Sequence, residues 1–444
     1  MTAETEQEPI SLKEKISYGL GDFACNLSYS PMASLLPMYY TNVAGIGTAA
    51  FASVMMMGRI LDAVFSIIMG FLVDRTESPQ GKTRPWILRF CVPLAVSTVL
   101  LFSVPSSFTG TRVLIWLFVF YNVAKTICYT AVNIPYGSML SYLTGDPDER
   151  GRLNTIRITS AYIAQFLLNA FVLKAVRQFG GGDLNNRTGW TITFSLLAVI
   201  SLVFYLICWK NVHERIHPDS KKEPVQFSKA LRYLFTNRNW LVISFTFIMS
   251  GLNIAVAQSS VTYFAQYNLG NVDYYPWLTN SVQVTQVLCL LFLAGRLQKR
   301  LGKIRMFRTG LPIVFIGALT AVLCRHSAYG VIAGCIIMGL GRSMESAVNY
   351  SLVPDALDQT GDPEGARYMG MGTAAAFFLM KIAASFGTLL WSKILNTGGF
   401  DPALQVQSAS GLNAVLVCYL GIPMITSVLN LLVLSLWKDA PAKA

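Results

Sequence analysis

Lys210-Asn-Val-His-Glu-Arg-Ile-His-Pro-Asp-Ser-Lys-Lys-Glu-Pro-Val-Gln-Phe-Ser-Lys-Ala-Leu-Arg-Tyr-Leu-Phe-Thr-Asn-Arg238 is a long polar stretch in a chain otherwise built of apolar runs. It is basic and broken by Pro218 and Pro224, which makes it a cytoplasmic linker rather than a span. Bilayer crossing takes about 20 apolar residues per helix. Six such runs precede the linker, at 17–43, 49–73, 86–105, 113–143, 153–177 and 190–209. Six follow it, at 239–268, 274–296, 305–324, 328–355, 367–394 and 411–436. The expected organisation is an all-α membrane protein of twelve transmembrane helices in two six-helix halves, residues 1–209 and 239–444, joined by the linker 210–238.

Composition agrees. Of 444 residues, 53% are hydrophobic and 13% charged, where a soluble domain carries about 25% charged. The net charge is +12, but the charges cluster in short segments between apolar runs. A nucleic-acid face needs a basic stripe on a soluble module, so no nucleic-acid partner is expected. Cys25, Cys91, Cys128, Cys208, Cys289, Cys324, Cys335 and Cys418 lie almost wholly inside apolar runs, with no CxxC pair. They read as small packed hydrophobes, not as disulfides or a zinc site. Met1–Ile16 is acidic and polar, so no cleaved signal peptide is expected before the first span.

Placing both termini in the cytoplasm puts most of the 35 Lys and Arg on the cytoplasmic side. The two halves also echo each other. Gly70-Phe-Leu-Val-Asp-Arg75 and Gly81-Lys-Thr-Arg84-Pro-Trp86 follow the second span, and Gly295-Arg-Leu-Gln-Lys-Arg-Leu-Gly-Lys-Ile-Arg305 follows the eighth. Both loops are short, basic and glycine-bearing, as duplicated transporter halves are.

Ionisable groups at membrane depth are costly and need a reason. Here they are Asp22, Arg59, Asp62, Lys125, Arg157, Arg342, Glu345 and Lys381. His213, His217 and His326 fall in loops or at span ends, which excludes a mid-membrane histidine relay. Asp62 on span 2 and Lys125 on span 4 both lie roughly 18–20 Å from the outer ends of their helices, at 1.5 Å per residue. They stand at one level, with Arg59 one turn outward from Asp62. Two readings stand: a neutralised structural cluster, or part of a coupling site. On span 4, Thr126, Thr130, Asn133 and Gly137 form one stripe, either helix-packing glue or the wall of an aqueous cavity. Arg157 and Lys381 favour the cavity, since cations this deep do not snorkel comfortably and attract anionic groups. Tyr29, Tyr136 and Tyr350 are the aromatic rings available to sugar faces, and each is also an ordinary packing residue.

Lys15-Ile-Ser-Tyr18-Gly-Leu-Gly-Asp22, Arg59-Ile-Leu-Asp62-Ala, Gly81-Lys-Thr-Arg-Pro-Trp-Ile-Leu88, Asn133-Ile-Pro-Tyr136-Gly and Val353-Pro-Asp355 resemble the glycoside–pentoside–hexuronide:cation symporters, the melibiose/glucuronide permease branch of the major facilitator superfamily. The likeness runs from about residue 10 to 436. It implies the major facilitator fold in a bacterial inner (cell) membrane, and a small-molecule sugar carried by alternating access. The sugar site it implies lies between the halves, at Asn26, Thr130, Asn133, Arg157, Tyr350 and Lys381. The implied coupling site is Asp62, Ser66 and Thr130. Melibiose-type members have Asp where Asn26 and Asn133 stand, and glucuronide-type members resemble this chain in having Asn. Losing two carboxylates beside Arg157 and Lys381 leaves a positive cavity suited to an acidic sugar. The second carboxylate of the family's cation site is replaced by Ser66. One carboxylate with Ser66 and Thr130 is a weak set for sodium, a hard cation that prefers several oxygens. A transient sodium at Asp62, a proton, or no ion at all remain open as the driving force. No cofactor is expected beyond such an ion, and the chain is expected to act as a monomer in the bilayer.

Other classes fit less well. No nucleophile–base pair, metal cluster, GxxxxGK[ST] loop or channel filter is visible, so an enzyme, a pump or a channel is disfavoured. A uniporter, a carrier of neutral glycosides or a carrier of amphipathic solutes remains the alternative. Acidic and basic residues of Gly145-Asp-Pro-Asp-Glu-Arg150-Gly-Arg152 either pair with other cytoplasmic loops or stay solvated.

Overall fold

The computed structural model describes residues 10–144, 146–215, 227–358, 363–402, 404 and 406–438. No strand occurs among the described residues. The long helices are α1 (Leu12–Ser34), α2 (Thr48–Asp74), α3 (Arg84–Leu101), α4 (111–143), α5 (Pro147–Phe179) and α6 (Arg187–Asn211). A short α7 (Phe227–Thr236) forms within the stretch 210–238 expected to be linker, and then come α8 (Arg238–Asn268), α9 (Val272–Leu301), α10 (Lys303–Leu323), α11 (Ala328–Asp358), α12 (Pro363–Thr397) and α13 (Ala409–Leu434).

Eleven of these helices are long and apolar enough to cross a membrane, and they fall on eleven of the twelve expected runs. The exception is the first, expected at 17–43. Its residues form α1, a three-residue turn of helix and a π-helical stretch Tyr39–Val43. Lys13, Glu14, Lys15 and Asp22, with several Ser and Gly, make α1 too polar to be counted with the others. Its buried face mixes Tyr18, Cys25, Leu27 and Met32 with the small or polar Ser17, Gly19, Gly21, Ser28 and Ser30.

Sequence-local signals explain the helix ends. Ser11, Asn186, Asn237 and Ser408 accept backbone N–H bonds from the first turns of α1, α6, α8 and α13. Pro31, Pro93, Pro135 and Pro312 lie inside helices, a placement that spanning helices tolerate. Helix α4 is π-helical over Asn122–Tyr129, a local widening that concentrates at functional sites. All eight cysteines are free, seven of them buried and Cys324 half-buried, as expected of packing residues.

The chain clusters into two compact units. One takes the residues up to Ile46 and those from Met57 to the linker; the other takes Gly47–Met56 and the rest. In the first unit, Tyr18, Cys25, Cys91, Tyr136, Tyr205 and Cys208 belong to one buried core. At one end of this unit Glu214 accepts four hydrogen bonds from the Gly81 motif: from the backbone N–H of Lys82 (2.8 Å), Thr83 (2.8 Å) and Arg84 (3.3 Å), and from the Thr83 hydroxyl (2.6 Å). Gly81 has φ +97°, and a Cβ there would overlap the Glu214 carboxyl, so the turn requires glycine. Arg84 in turn donates to the Trp209 carbonyl at 2.7 Å. Glu14 receives Arg215 at 2.8 Å. Glu149, from the segment after span 4, pairs with Lys15 on α1.

In the second unit, Trp240, Phe247, Phe307, Val348 and Leu357 share a core. Helices α10 and α11 meet through Gly310 and Gly317 against Gly341 and Gly334. A Cβ on Gly341 would lie 2.6 Å from the Gly310 carbonyl, and one on Gly317 would lie 2.8 Å from the Gly334 carbonyl. Small residues at these positions let the two backbones touch. Arg308 donates to the Leu434 carbonyl at 2.5 Å, and Lys303 pairs with Asp355 of the Val353-Pro-Asp355 motif.

Candidate functional site

The first unit holds two polar clusters inside its apolar helices. In one, Asp62 on α2 is 7% exposed. The Thr130 hydroxyl donates to its Oδ1 at 2.7 Å, and Lys125 Nζ stands 3.7 Å from its Oδ2. The Lys125 ammonium also lies over two tyrosine rings, 4.9 Å from the centre of Tyr29 and 4.3 Å from that of Tyr129. The rings themselves stack at 5.4 Å. A desolvated ammonium gains from ring faces as well as from a carboxylate, so three elements hold this one charge. The depth argument that set Asp62 opposite Lys125 therefore describes a real ion pair. Ser66, expected beside Asp62 as an ion ligand, donates its hydroxyl to the Asp62 backbone carbonyl at 2.7 Å. That is the ordinary back-bond a helix offers a serine.

The stripe on α4 divides. The Thr126 hydroxyl donates to the Gly58 carbonyl of α2 at 3.3 Å and to Asn122 at 3.1 Å. Thr130 is spent on Asp62. These two are packing glue. Asn133 is half-buried and Gly137 exposed, with nothing within 4 Å of a Cβ there. The lower part of the stripe is the part left accessible.

The second cluster centres on Arg157 of α5. Its Nε lies 3.6 Å from Asp22 Oδ2 and is buried with no hydrogen-bond partner. Asn26, one turn along α1, donates its side-chain amide to the Asp22 backbone carbonyl at 2.9 Å. Tyr136 donates to the Tyr18 carbonyl at 2.6 Å, and the two rings stack at 5.1 Å. Tyr136 is thus a core residue locking α4 to α1, not an open ring for a sugar face. Asp22 is one of the membrane-depth charges of the sequence, and its partner becomes visible only in the packing of α1 on α5. Its carboxylate offsets the Arg157 charge, which the expectation of a positive cavity had counted in full.

In the second unit, Lys381 on α12 is exposed. The Tyr350 side chain lies outside the described residues. Four turns of α8, α9, α11 and α13 bring a further polar set together: Arg342 donates to Asn253 at 3.3 Å, Asn253 to Thr426 at 3.0 Å, and Gln286 to Ser346 at 3.1 Å. Glu345 sits among them with Oε1 buried and without a hydrogen-bond partner.

Many apolar spanning helices, with charged pairs and amides sealed inside them, define a polytopic solute transporter rather than an enzyme. Comparison with known proteins gives the particular family. The family model described as "MFS/sugar transport protein" matches residues 17–438, and the chain belongs to that family, the glycoside–pentoside–hexuronide:cation symporters. The isoprimeverose transporter of Lactiplantibacillus pentosus is 31% identical over 96% of this chain and 88% of its own length. The glucuronide carrier protein homolog of Escherichia coli (strain K12) is 25% identical over 90% of this chain and 87% of its own. Among solved structures, the D-xylose-proton symporter superposes with a TM-score of 0.68 at 14% identity, covering 98% of both chains, which shows a shared fold.

Proposed function

We propose that this protein is a secondary active transporter that carries a glycoside or hexuronide by alternating access, driven by a cation. The reading includes α1 as the twelfth span, both termini in the cytoplasm, a bacterial inner membrane and a monomeric working unit. The observation that carries it is Arg157: a cation deep in apolar helices, steadied by Asp22 at 3.6 Å, with a buried Nε that has no hydrogen-bond partner. An oxygen-rich solute supplies the missing acceptor. Asn26 and Asn133 add amides, and Tyr350 and Lys381 are taken from the second half, while Thr130 stays with Asp62. Across both halves the membrane-depth charges are five cations (Arg59, Lys125, Arg157, Arg342, Lys381) to three carboxylates (Asp22, Asp62, Glu345). That surplus supports an acidic sugar even with Asp22 counted. Relatives named for isoprimeverose and for glucuronide transport set the two sugars to compare.

The Asp62 site argues against sodium as the driving cation, which favours a proton bound elsewhere. Lys125 is a tethered ammonium already standing where a free cation would bind, and Thr130 takes the other oxygen. In proteoliposomes, exchange of methyl glucuronide is expected to fall at least tenfold in Arg157→Ala and in Lys381→Ala, with exchange of isoprimeverose less affected. If both variants keep wild-type affinity for the glucuronide, the acidic-sugar reading fails. An imposed pH gradient is expected to drive accumulation and a sodium gradient is not; the opposite result overturns the proton reading.

A further inference from the structure

Glu345 lies inside the apolar stretch Ala328–Asn349 of α11. The other two interior carboxylates are each paired, Asp62 with Lys125 and Asp22 with Arg157. Glu345 has no ion pair among the described residues, and its Oε1 is sealed from solvent with no hydrogen-bond partner. The charged group acting on it is Arg342, one turn earlier on the same helix face. The Arg342 fork points elsewhere, to Asn253 Oδ1 at 3.3 Å, and Asn253 is fixed in turn by its bond to Thr426 on α13. The nearest groups shown on α9 and α10 are neutral. Helix α10 presents Gly310, whose Cβ position lies 3.5 Å from Glu345 Cγ. Helix α9 presents Gln286, which is taken by Ser346. The charge on α12 in this stretch is Lys381, which is exposed.

An ionised carboxylate at such a place loses its hydration and gains no ion pair or hydrogen bond in exchange. The side chain as a whole is nonetheless half-buried, so it is not walled off from every route for a proton.

We propose that Glu345 is the proton-binding group of the transport cycle. It takes one proton from the outer side and holds it as the carboxylic acid in the arrangement described. It releases that proton to cytoplasmic water, leaving a carboxylate. Arg342 then exchanges its Asn253 acceptor for the Glu345 carboxylate, an ion pair one turn apart, and the next outer proton reverses the exchange. No electron moves, and each cycle carries one proton inward. This rests on the sugar-symport reading for its biological use but not for its chemistry.

Two measurements on the full chain in lipid test it. Infrared spectra at neutral pH are expected to show a protonated-carboxyl C=O band that is lost in Glu345→Gln and kept in Asp62→Asn. In proteoliposomes, pH-gradient-driven accumulation of isoprimeverose or methyl glucuronide is expected to drop at least tenfold in Glu345→Gln. Equilibrium exchange of the same sugar should stay within threefold of wild type. A band unchanged in Glu345→Gln, or accumulation that persists there and vanishes in Asp62→Asn, overturns the proposal. Should the wild type exchange neither sugar, the sugar reading falls while the infrared band still decides the fate of Glu345.

Discussion

The two units solve one mechanical problem identically and one electrostatic problem differently. In each, an arginine of the third span of its half reaches the last turn of the sixth: Arg84 to the Trp209 carbonyl, Arg308 to the Leu434 carbonyl. That brace satisfies a carbonyl which the helix end would otherwise leave without a partner. The interior charges diverge. The first unit pairs both of its deep carboxylates with cations, whereas the second leaves Glu345 unpaired and sends Arg342 to an amide. Duplicated scaffolding keeps its braces because every helix end needs them. Interior charges answer only to what each half has to bind.

The largest test of that contrast is Asp62→Leu. It strands the Lys125 ammonium in the first unit, and loss of one partner of a buried pair costs about 3–5 kcal/mol. A lowered melting temperature of the purified protein reports it, and the double variant Asp62→Leu/Lys125→Met should recover most of the loss. If the single and double variants melt alike, the pair carries no coupling. Next comes Glu214→Ala, which leaves the turn at Lys82–Arg84 without its acceptor. Hydrogen bonds to a charged group are worth about 1.5–3 kcal/mol, so a clear destabilisation is expected, with Glu214→Gln intermediate. Gly341→Leu drives a side chain into the α10 backbone and should cost about 1–3 kcal/mol by overpacking. Gly137→Leu, on an open surface of the first unit, should change melting little. Smallest is Arg152→Ala. Its side chain is 72% exposed and 3.7 Å from Glu149, and such pairs contribute less than about 1 kcal/mol. A measurable loss there would mean that the Glu149 pairs act as a network.

Much of this was legible in the sequence because the bilayer imposes length and polarity on each span. The apolar runs located the helices, and positions counted inward from the outer ends set Asp62 opposite Lys125. The first span was the hardest to read: its buried face mixes Tyr18, Cys25, Leu27 and Met32 with Gly and Ser, so burial there leaves only a weak hydrophobic trace. Long-range choices of partner were also hidden. Arg342, three residues before Glu345, looks like its counter-ion on a helical wheel. Only the approach of α8 shows the fork turned to Asn253. Asp22 gave no sign of its tie to Arg157, since the packing of α1 on α5 is written in small residues on both. Ser66 is hard to read for the opposite reason: a serine hydroxyl has its own helix carbonyl within reach to donate to, whatever ligand it serves with its lone pairs.

The seat of Glu214 in the turn after α2 also has a meaning for biosynthesis. The acceptor lies 132 residues downstream of Lys82, the first donor it serves. At about 5–20 residues per second, the ribosome needs on the order of ten seconds to supply it. During that interval the turn at Gly81 is inserted with its backbone donors still facing water, and it closes when the sixth span emerges. The first half can therefore be latched shut by its own final residues before the second half is complete.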